Sequence, residues 1–312
     1  MVVTALAGGV GAARFLQGLV QLIPAENLKV IVNTGDDVEL YGLHVSPDID
    51  IILYTLAGLV DEEKGWGFEG DTFHCLGMLK SYGYETWFNL GDKDLATHIH
   101  RTLLLRKGKT LTEVTDSIRR GLKVEAEVLP MTNDHFKTVV ETPVGKMHFQ
   151  EYMVRRRAEE AVLTVEFEGC KSAHPAPGVV EAIRGAEAVI ICPSNPIVSI
   201  GTILSISGVR EALRETLAPV VAVSPIVGGA TIKGPADKMM SGLGIEVSVH
   251  GVATLYKDFL DALIIDQVDR QLKERIEKLG ISVIVMNTIM RGMEEKTALA
   301  RAVLEQASKL TK

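Results

Sequence analysis

Aromatic side chains make up only 5% of this 312-residue chain, and bases are in deficit, with 33 Lys and Arg against 40 Asp and Glu. The formal charge of −7 argues against a nucleic-acid groove, which needs a basic stripe interleaved with stacking rings. The basic triplet Arg155-Arg156-Arg157 is soon followed by Glu159-Glu160 and reads as a solvated turn. No apolar run approaches the roughly 20 residues that span a bilayer. The chain opens directly on a strand pattern, without the charged and cleavable regions of a signal peptide. Cysteine is scarce: Cys75, Cys170 and Cys192 lie far apart, are odd in number and form no C-x-x-C pair. The expectation is a cytoplasmic protein with reduced thiols, working on neither nucleic acid nor membrane.

Two phosphate-binding fingerprints are missing as well. A dinucleotide motif reads G-x-G-x-x-G, but Gly9-Val10-Gly11-Ala12-Ala13 is followed by Arg14, and Asn33 ends the next strand where a ribose-binding acid would stand. No Gly-Lys-Ser/Thr follows, so there is no P-loop. What is present is a β-branched run, 2–7, that breaks into Gly8-Gly9 and then into a helical pattern. Such a strand–turn–helix offers unpaired amides and the positive end of a helix dipole to an anion. A turn of this kind also arises simply to pack a helix closely on a sheet.

Aliphatic strands alternate with amphipathic helices at both ends of the chain. Strands are predicted over 2–7, 28–32, 188–192, 220–223, 245–247, 262–265 and 282–285. Helices are predicted over 12–22, 179–184, 208–216, 236–240, 251–259, 270–279 and 293–310. Apolar strands without alternation imply a parallel sheet covered on both faces. The stretch 51–122 is helical, with an N-cap at Thr110 or Thr112 before its last helix. Alternating segments at 124–129, 138–142 and 146–152 predict a hairpin or small sheet turning at Pro143-Val144-Gly145. The fold class is α/β: a doubly wound, mostly parallel, Rossmann-like sheet with a helical insert and a small β element. Residues 1–50 and 123–312 form the nucleotide-binding core, with the β element near 123–153, and 51–122 form the insert.

Ligands of such sheets bind beyond the carboxyl ends of the strands, so polar loops distant in sequence converge there. Ser46-Pro47-Asp48-Ile49-Asp50 places two carboxylates at i and i+2, suited to a divalent cation or a substrate hydroxyl, or else to capping the helix that follows. Asp36 and Asp37 read as ordinary turn residues. In Asn89-Leu90-Gly91-Asp92-Lys93-Asp94, a turn leads into a helix where Asp94 and His98 share a face. That pair is either structural or part of a site. His98 and His100 point apart and are no zinc pair. After the strand at 188–192, Pro193-Ser194-Asn195-Pro196 and Ser199 offer hydroxyl and amide groups to a phosphate or base edge.

Taken together, AGGVGAARFLQGL at 7–19, VNTGDD at 32–37, SPDID at 46–50, LGDKDLATHIHRT at 90–102, PSNPIVSIG at 193–201 and VSPIVGG with KGPADKMM at 223–240 resemble the 2-phospho-L-lactate transferase family of coenzyme F420 biosynthesis. The resemblance runs nearly end to end. It implies that the ribityl hydroxyl of the deazaflavin Fo attacks the acyl-bearing phosphorus of lactyl- or enolpyruvyl-diphosphoguanosine, releasing GMP with Mg²⁺ required. By similarity, Gly8, Gly9, Gly11 and Ala12 with Ser194, Asn195 and Ser199 bind the donor. Asp50, Asn89, Asp92 and His98 face Fo, and Asp48 and Asp50 bind Mg²⁺ or orient the hydroxyl. On this reading Asp50→Ala cuts turnover and leaves the fold intact, and a homodimer is expected. The alternative is a non-catalytic nucleotide-sugar-binding regulator of a related family, which shares the glycine turn and the sheet; the insert discriminates between them.

Overall fold

A computed structural model describes residues 1–310. Seven parallel strands form the central sheet in the order Ser282–Met286, Ala262–Asp266, Val220–Val223, Ala188–Ile191, Val3–Ala7, Leu28–Val32, Glu127–Pro130. Chain order runs outward from Val3–Ala7 in one direction, then restarts on its other side with Ala188–Ile191. That reversal is the topological switch point, where neighbouring loops leave in opposite directions and open a crevice.

Burial explains the unbroken apolar strands. Successive side chains alternate between faces, yet both faces are covered. Leu6, Ile31, Ile191 and Leu263 join a core beneath helices such as Val209–Glu215 and Val249–Tyr256. Ala5, Val30, Ile190 and Ile264 join a second core beneath Gly9–Leu19, Pro47–Leu56 and Met293–Lys309. Helices Gly9–Leu19 and Met293–Lys309 cross tightly at Gly18, where a Cβ would meet the Lys296 carbonyl at 2.3 Å.

Several predicted elements are placed differently. The segment at 124–129 belongs to no hairpin: Glu127–Pro130 is the parallel edge strand beside Leu28–Val32, with Ile31 opposite Leu129. Residues 124–128 alternate between buried and exposed as a hairpin arm does, so pattern alone does not separate the two. The small antiparallel sheet is Gly145–His148, Lys137–Thr142, Thr164–Glu168, and its third strand was not anticipated. Beyond His148 the chain coils into a wide helical turn, Glu151–Arg155, instead of continuing as strand. Residues 245–247 form no strand, and 270–279 divide into a 3-10 turn, Gln267–Leu272, and a short helix, Lys273–Glu277.

The helical segment contains Pro47–Leu56, His74–Ser81, Asp92–Arg106 and Leu111–Gly121. Thr110 caps the last of these in a reciprocal box with Glu113. Pro47–Leu56 starts four residues before the expected insert boundary and packs in the core with Gly9–Leu19, so Asp48 and Asp50 sit in its first turn. Among the described residues no helix is long and apolar enough to cross a membrane.

Candidate active site

The switch-point crevice opens into a cavity of about 690 Å³, within the range of small-molecule sites. Its floor is the turn after Val3–Ala7, residues Gly8 to Gly11, and the loop after Ala188–Ile191, including Pro193, Ser194, Asn195 and Ser199. One wall comes from Asp36, Asp48 and Asp50; another from the helical segment, through Tyr54, Trp66, Asn89, Asp94 and His98.

The two floor loops are locked together. Gly8 N–H donates to Ser194 Oγ at 3.2 Å, and a Cβ on Gly11 would stand 2.2 Å from the Pro193 carbonyl oxygen. Gly8 is equally confined, because a Cβ there would lie 2.7 Å from both Asp48 Oδ2 and Ser199 Cβ. Gly9 has φ +72°, a conformation that favours glycine. Gly11→Ala is therefore expected to push the loops apart, lowering the melting temperature and weakening GDP binding at least about tenfold, since overpacking costs roughly 1–3 kcal/mol. Calorimetric titration of the variant with GDP checks this; unchanged affinity would show that the loops do not form the phosphate floor.

Asp48 joins the glycine turn to the second strand. Its Oδ1 accepts from Gly9 N–H at 2.9 Å and its Oδ2 from Asn33 Nδ2 at 2.9 Å. Asn33 also donates to the Val198 carbonyl at 3.2 Å and accepts from Gly35 N–H and Thr202 Oγ1 at 2.8 and 2.7 Å. One asparagine thus knits three loops. Burial lifts the Asp48 carboxyl to about 6, against the hydrogen bonds from Asn33 and Gly9. Asp36 is raised well above the usual carboxylate range by burial and then by the charge of Asp48, and its Oδ1 has no partner. It is therefore more than an ordinary turn residue.

Asp50 faces a different environment. Arg101, with no exposed surface, grips it with both terminal nitrogens, Nη1 to Oδ2 at 3.1 Å and Nη2 to Oδ1. The same Nη1 donates to His98 Nδ1 at 3.2 Å. Because guanidinium only donates, that bond makes Nδ1 an acceptor and places the imidazole proton on Nε2. His98 Nε2 lies 3.3 Å from Asp94 Oδ1 but off line, leaving it without a hydrogen bond, and Tyr54 OH donates to Asp94 at 2.7 Å. Asp50, Asp94 and His98 each bring a ligand atom within 4.8 Å of the others, an arrangement compatible with a metal ion.

Two expectations need correction. Neither Asp48 nor Asp50 caps its own helix, since their oxygens are bound by Gly9, Asn33 and Arg101. Asp92 does not line the cavity: its carboxylate caps helix His74–Ser81, accepting from His74 N–H, Cys75 N–H and Thr72 Oγ1. Ala12 turns its side chain into the core from helix Gly9–Leu19, so only its backbone amide is available to a donor. Asn195 reaches the cavity, yet its Oδ1 is bound to Ile197 and Val198 N–H, so it shapes its own loop.

Comparison with known proteins decides the family. The model of 2-phospho-L-lactate transferase CofD matches residues 3–303. This chain belongs to the CofD family. It is 42% identical over 308 residues to the 2-phospho-L-lactate transferase of Methanocaldococcus jannaschii, covering 97% of both chains. It is 43% identical over 316 residues to the phosphoenolpyruvate transferase of Streptomyces griseus, covering 99% of both. Crystal structures of a Bacillus halodurans protein described as a member of the UPF0052 family share the fold. The better match has a TM-score of 0.66 at 16% identity over 97% of this chain and 98% of that one. In this CofD-family chain, sequence reasoning passed over Arg101 and read Asp36 only as a turn residue. Arg101 lies three residues after His98 within LGDKDLATHIHRT, so helical spacing carried the signal; the Asp36 contact with Asp48 carried none.

Proposed function

We propose that the cavity transfers a phospholactyl or phosphoenolpyruvyl group from its guanosine diphosphate conjugate to the terminal hydroxyl of Fo, releasing GMP. The carrying observation is the continuity of one cavity from the switch-point loops to Tyr54, Asn89, Asp94 and His98 of the helical segment. Two substrates can meet there in line. A binding-only regulator needs no second surface, and the likeness to the UPF0052 structures extends to the fold alone.

Gly8, Gly9 and Gly11, with Ser194 and Ser199, would cradle the donor's phosphates at the helix N-terminus. Asp50, Asn89 and His98 would face the acceptor, with Asp50 receiving a hydrogen bond from its hydroxyl. The helical segment 51–122 would thus serve as the acceptor side. Phosphoryl transfer demands positioning and charge neutralisation more than covalent chemistry; rigid loops would supply the first, and a cation held by buried carboxylates the second.

Mg²⁺ suits Asp48 with Asp36. Both are oxygen donors on the cavity wall, both are lifted by burial, and the Asp36 Oδ1 lacks a partner. When bound, the ion would neutralise charge on the donor phosphates. Asp50 suits it less, because the fixed cation Arg101 already occupies both its oxygens. The enzyme would act in the cytoplasm with its three cysteines free, as a homodimer. Helices His74–Ser81 and Asp92–Arg106 leave Met78, Ile99 and Leu103 exposed for such a contact.

The test is mass spectrometry of purified protein with Fo, Mg²⁺ and each acyl-diphosphoguanosine. GMP and acyl-phospho-Fo are expected from at least one donor. Nucleotide binding without product from any donor would favour the regulator.

A further inference from the structure

Besides its four carboxylates, the cavity wall carries three cations: Arg14, Lys233 and Arg291. Among the described residues none of the three forms an ion pair, although the chain has an excess of acids. Arg14 and Lys233 converge. Arg14 lies four residues after Val10, on the same face of helix Gly9–Leu19. Gly65 brings Lys233 into the neighbourhood of Val10: a Cβ built on Gly65 would stand 3.1 Å from Lys233 Nζ and 3.3 Å from Val10 Cγ1. The one hydrogen bond of Lys233 Nζ goes to the Lys64 carbonyl at 3.1 Å. Burial and the neighbouring Arg14 both lower the Lys233 pKa. Two like charges in one cavity, neither in an ion pair among the described residues, suit an anion.

We infer that Arg14 and Lys233 hold the carboxylate of the donor's acyl group. This rests on the transferase reading and names a subsite within it. On that reading the donor's phosphates would be served by the glycine turn, the serine loop and a cation held by the carboxylates. Phospholactyl and phosphoenolpyruvyl groups alike keep a carboxylate on the carbon that bears the phosphate ester, so one anion beside the reacting phosphorus remains to be matched. A guanidinium fork fits a planar carboxylate through two parallel hydrogen bonds. The group is transferred intact, so the same contact holds it before and after the phosphorus changes partners. Arg14, which breaks the dinucleotide fingerprint, thereby acquires a role: it faces an anion that a dinucleotide does not have.

The experiment compares the acylated donor with GDP, which has the diphosphate but no carboxylate. Lys233→Met changes an exposed side chain, so its folding is secure; Arg14→Gln and Arg14→Lys accompany it. For Lys233→Met and Arg14→Gln, the Kd of the acylated donor, measured by calorimetry without Fo, is expected to rise on the order of 10- to 100-fold. The Kd of GDP should move less than about threefold, and Arg14→Lys should recover part of the loss because it keeps the charge. An equal loss for both ligands would assign the cations to the diphosphate and overturn the inference. So would unchanged affinity for both. Binding is read without turnover, so wild-type product formation tests the transferase reading separately.

Discussion

Arg101→Leu is expected to destabilise the protein by about 3–5 kcal/mol, the penalty for removing one partner of a buried ion pair. Arg101 has no solvent exposure and Asp50 is only 4% exposed, so the abandoned carboxylate gains little from water. The guanidinium also donates to His98 Nδ1, and its loss frees the imidazole from its fixed tautomer. Urea unfolding of wild type, Arg101→Leu, Asp50→Asn and the double variant gives the coupling. The double variant should regain more than half of the loss, since replacing both partners leaves no uncompensated charge. A loss below about 1 kcal/mol for Arg101→Leu would place the pair in the range of solvated surface bridges. The same geometry corrects the expectation that Asp50→Ala spares the fold: it strands a buried Arg101. Asp50→Asn, which retains hydrogen-bonding capacity, is the cleaner kinetic probe.

Asp48→Ala should reduce turnover at least about 100-fold, because a cation that neutralises a transferring phosphoryl group contributes several kcal/mol. Asp48 also braces the glycine turn through Gly9, so donor affinity falls with it. Steady-state GMP release measures the effect; loss of less than about fivefold would remove Asp48 from the site. Its titration supplies a second readout. Burial raises Asp48 from 3.8 to about 6, and Asp36 and Asp50 move in the same direction for the same first cause. The folded chain therefore binds these protons more tightly than the unfolded chain does. For Asp48 that contribution to stability is complete below about pH 4 and is lost as pH rises through about 6. Metal-free protein should accordingly melt at a higher temperature near pH 5 than near pH 7.5. Mg²⁺ should raise the melting temperature more at the higher pH, by binding the native state alone. A melting temperature indifferent to Mg²⁺ at both values would count against Asp48 and Asp36 as its ligands.

Much of this was legible from residue order alone. The unalternating strands Val3–Ala7, Ala188–Ile191 and Val220–Val223 declare a parallel sheet, because only strands buried on both faces can be apolar throughout. The glycine turn, the Ser194–Ser199 loop and the Asp48-Asp50 pair announce themselves as polar loops behind such strands, and the brackets of helix and strand around them determine which edge they share. These are local properties: the period of side-chain exposure, the steric freedom of glycine and the fixed φ of proline.

The division of labour among the acids came only with the tertiary structure. Asp48 and Asp50 are two residues apart on one helical turn and point into separate environments, one toward Gly9 and Asn33, the other toward Arg101. Asp36 lines the cavity and feels the charge of Asp48, whereas Asp92 is captured by the start of helix His74–Ser81. Arg14 and Lys233, 219 positions apart in the chain, line one cavity close enough for the charge of one to act on the other. Residue order sets what each side chain can do. Burial, and the partners that long-range packing supplies, decide which protons are held, which charges are paired and which remain free for a substrate.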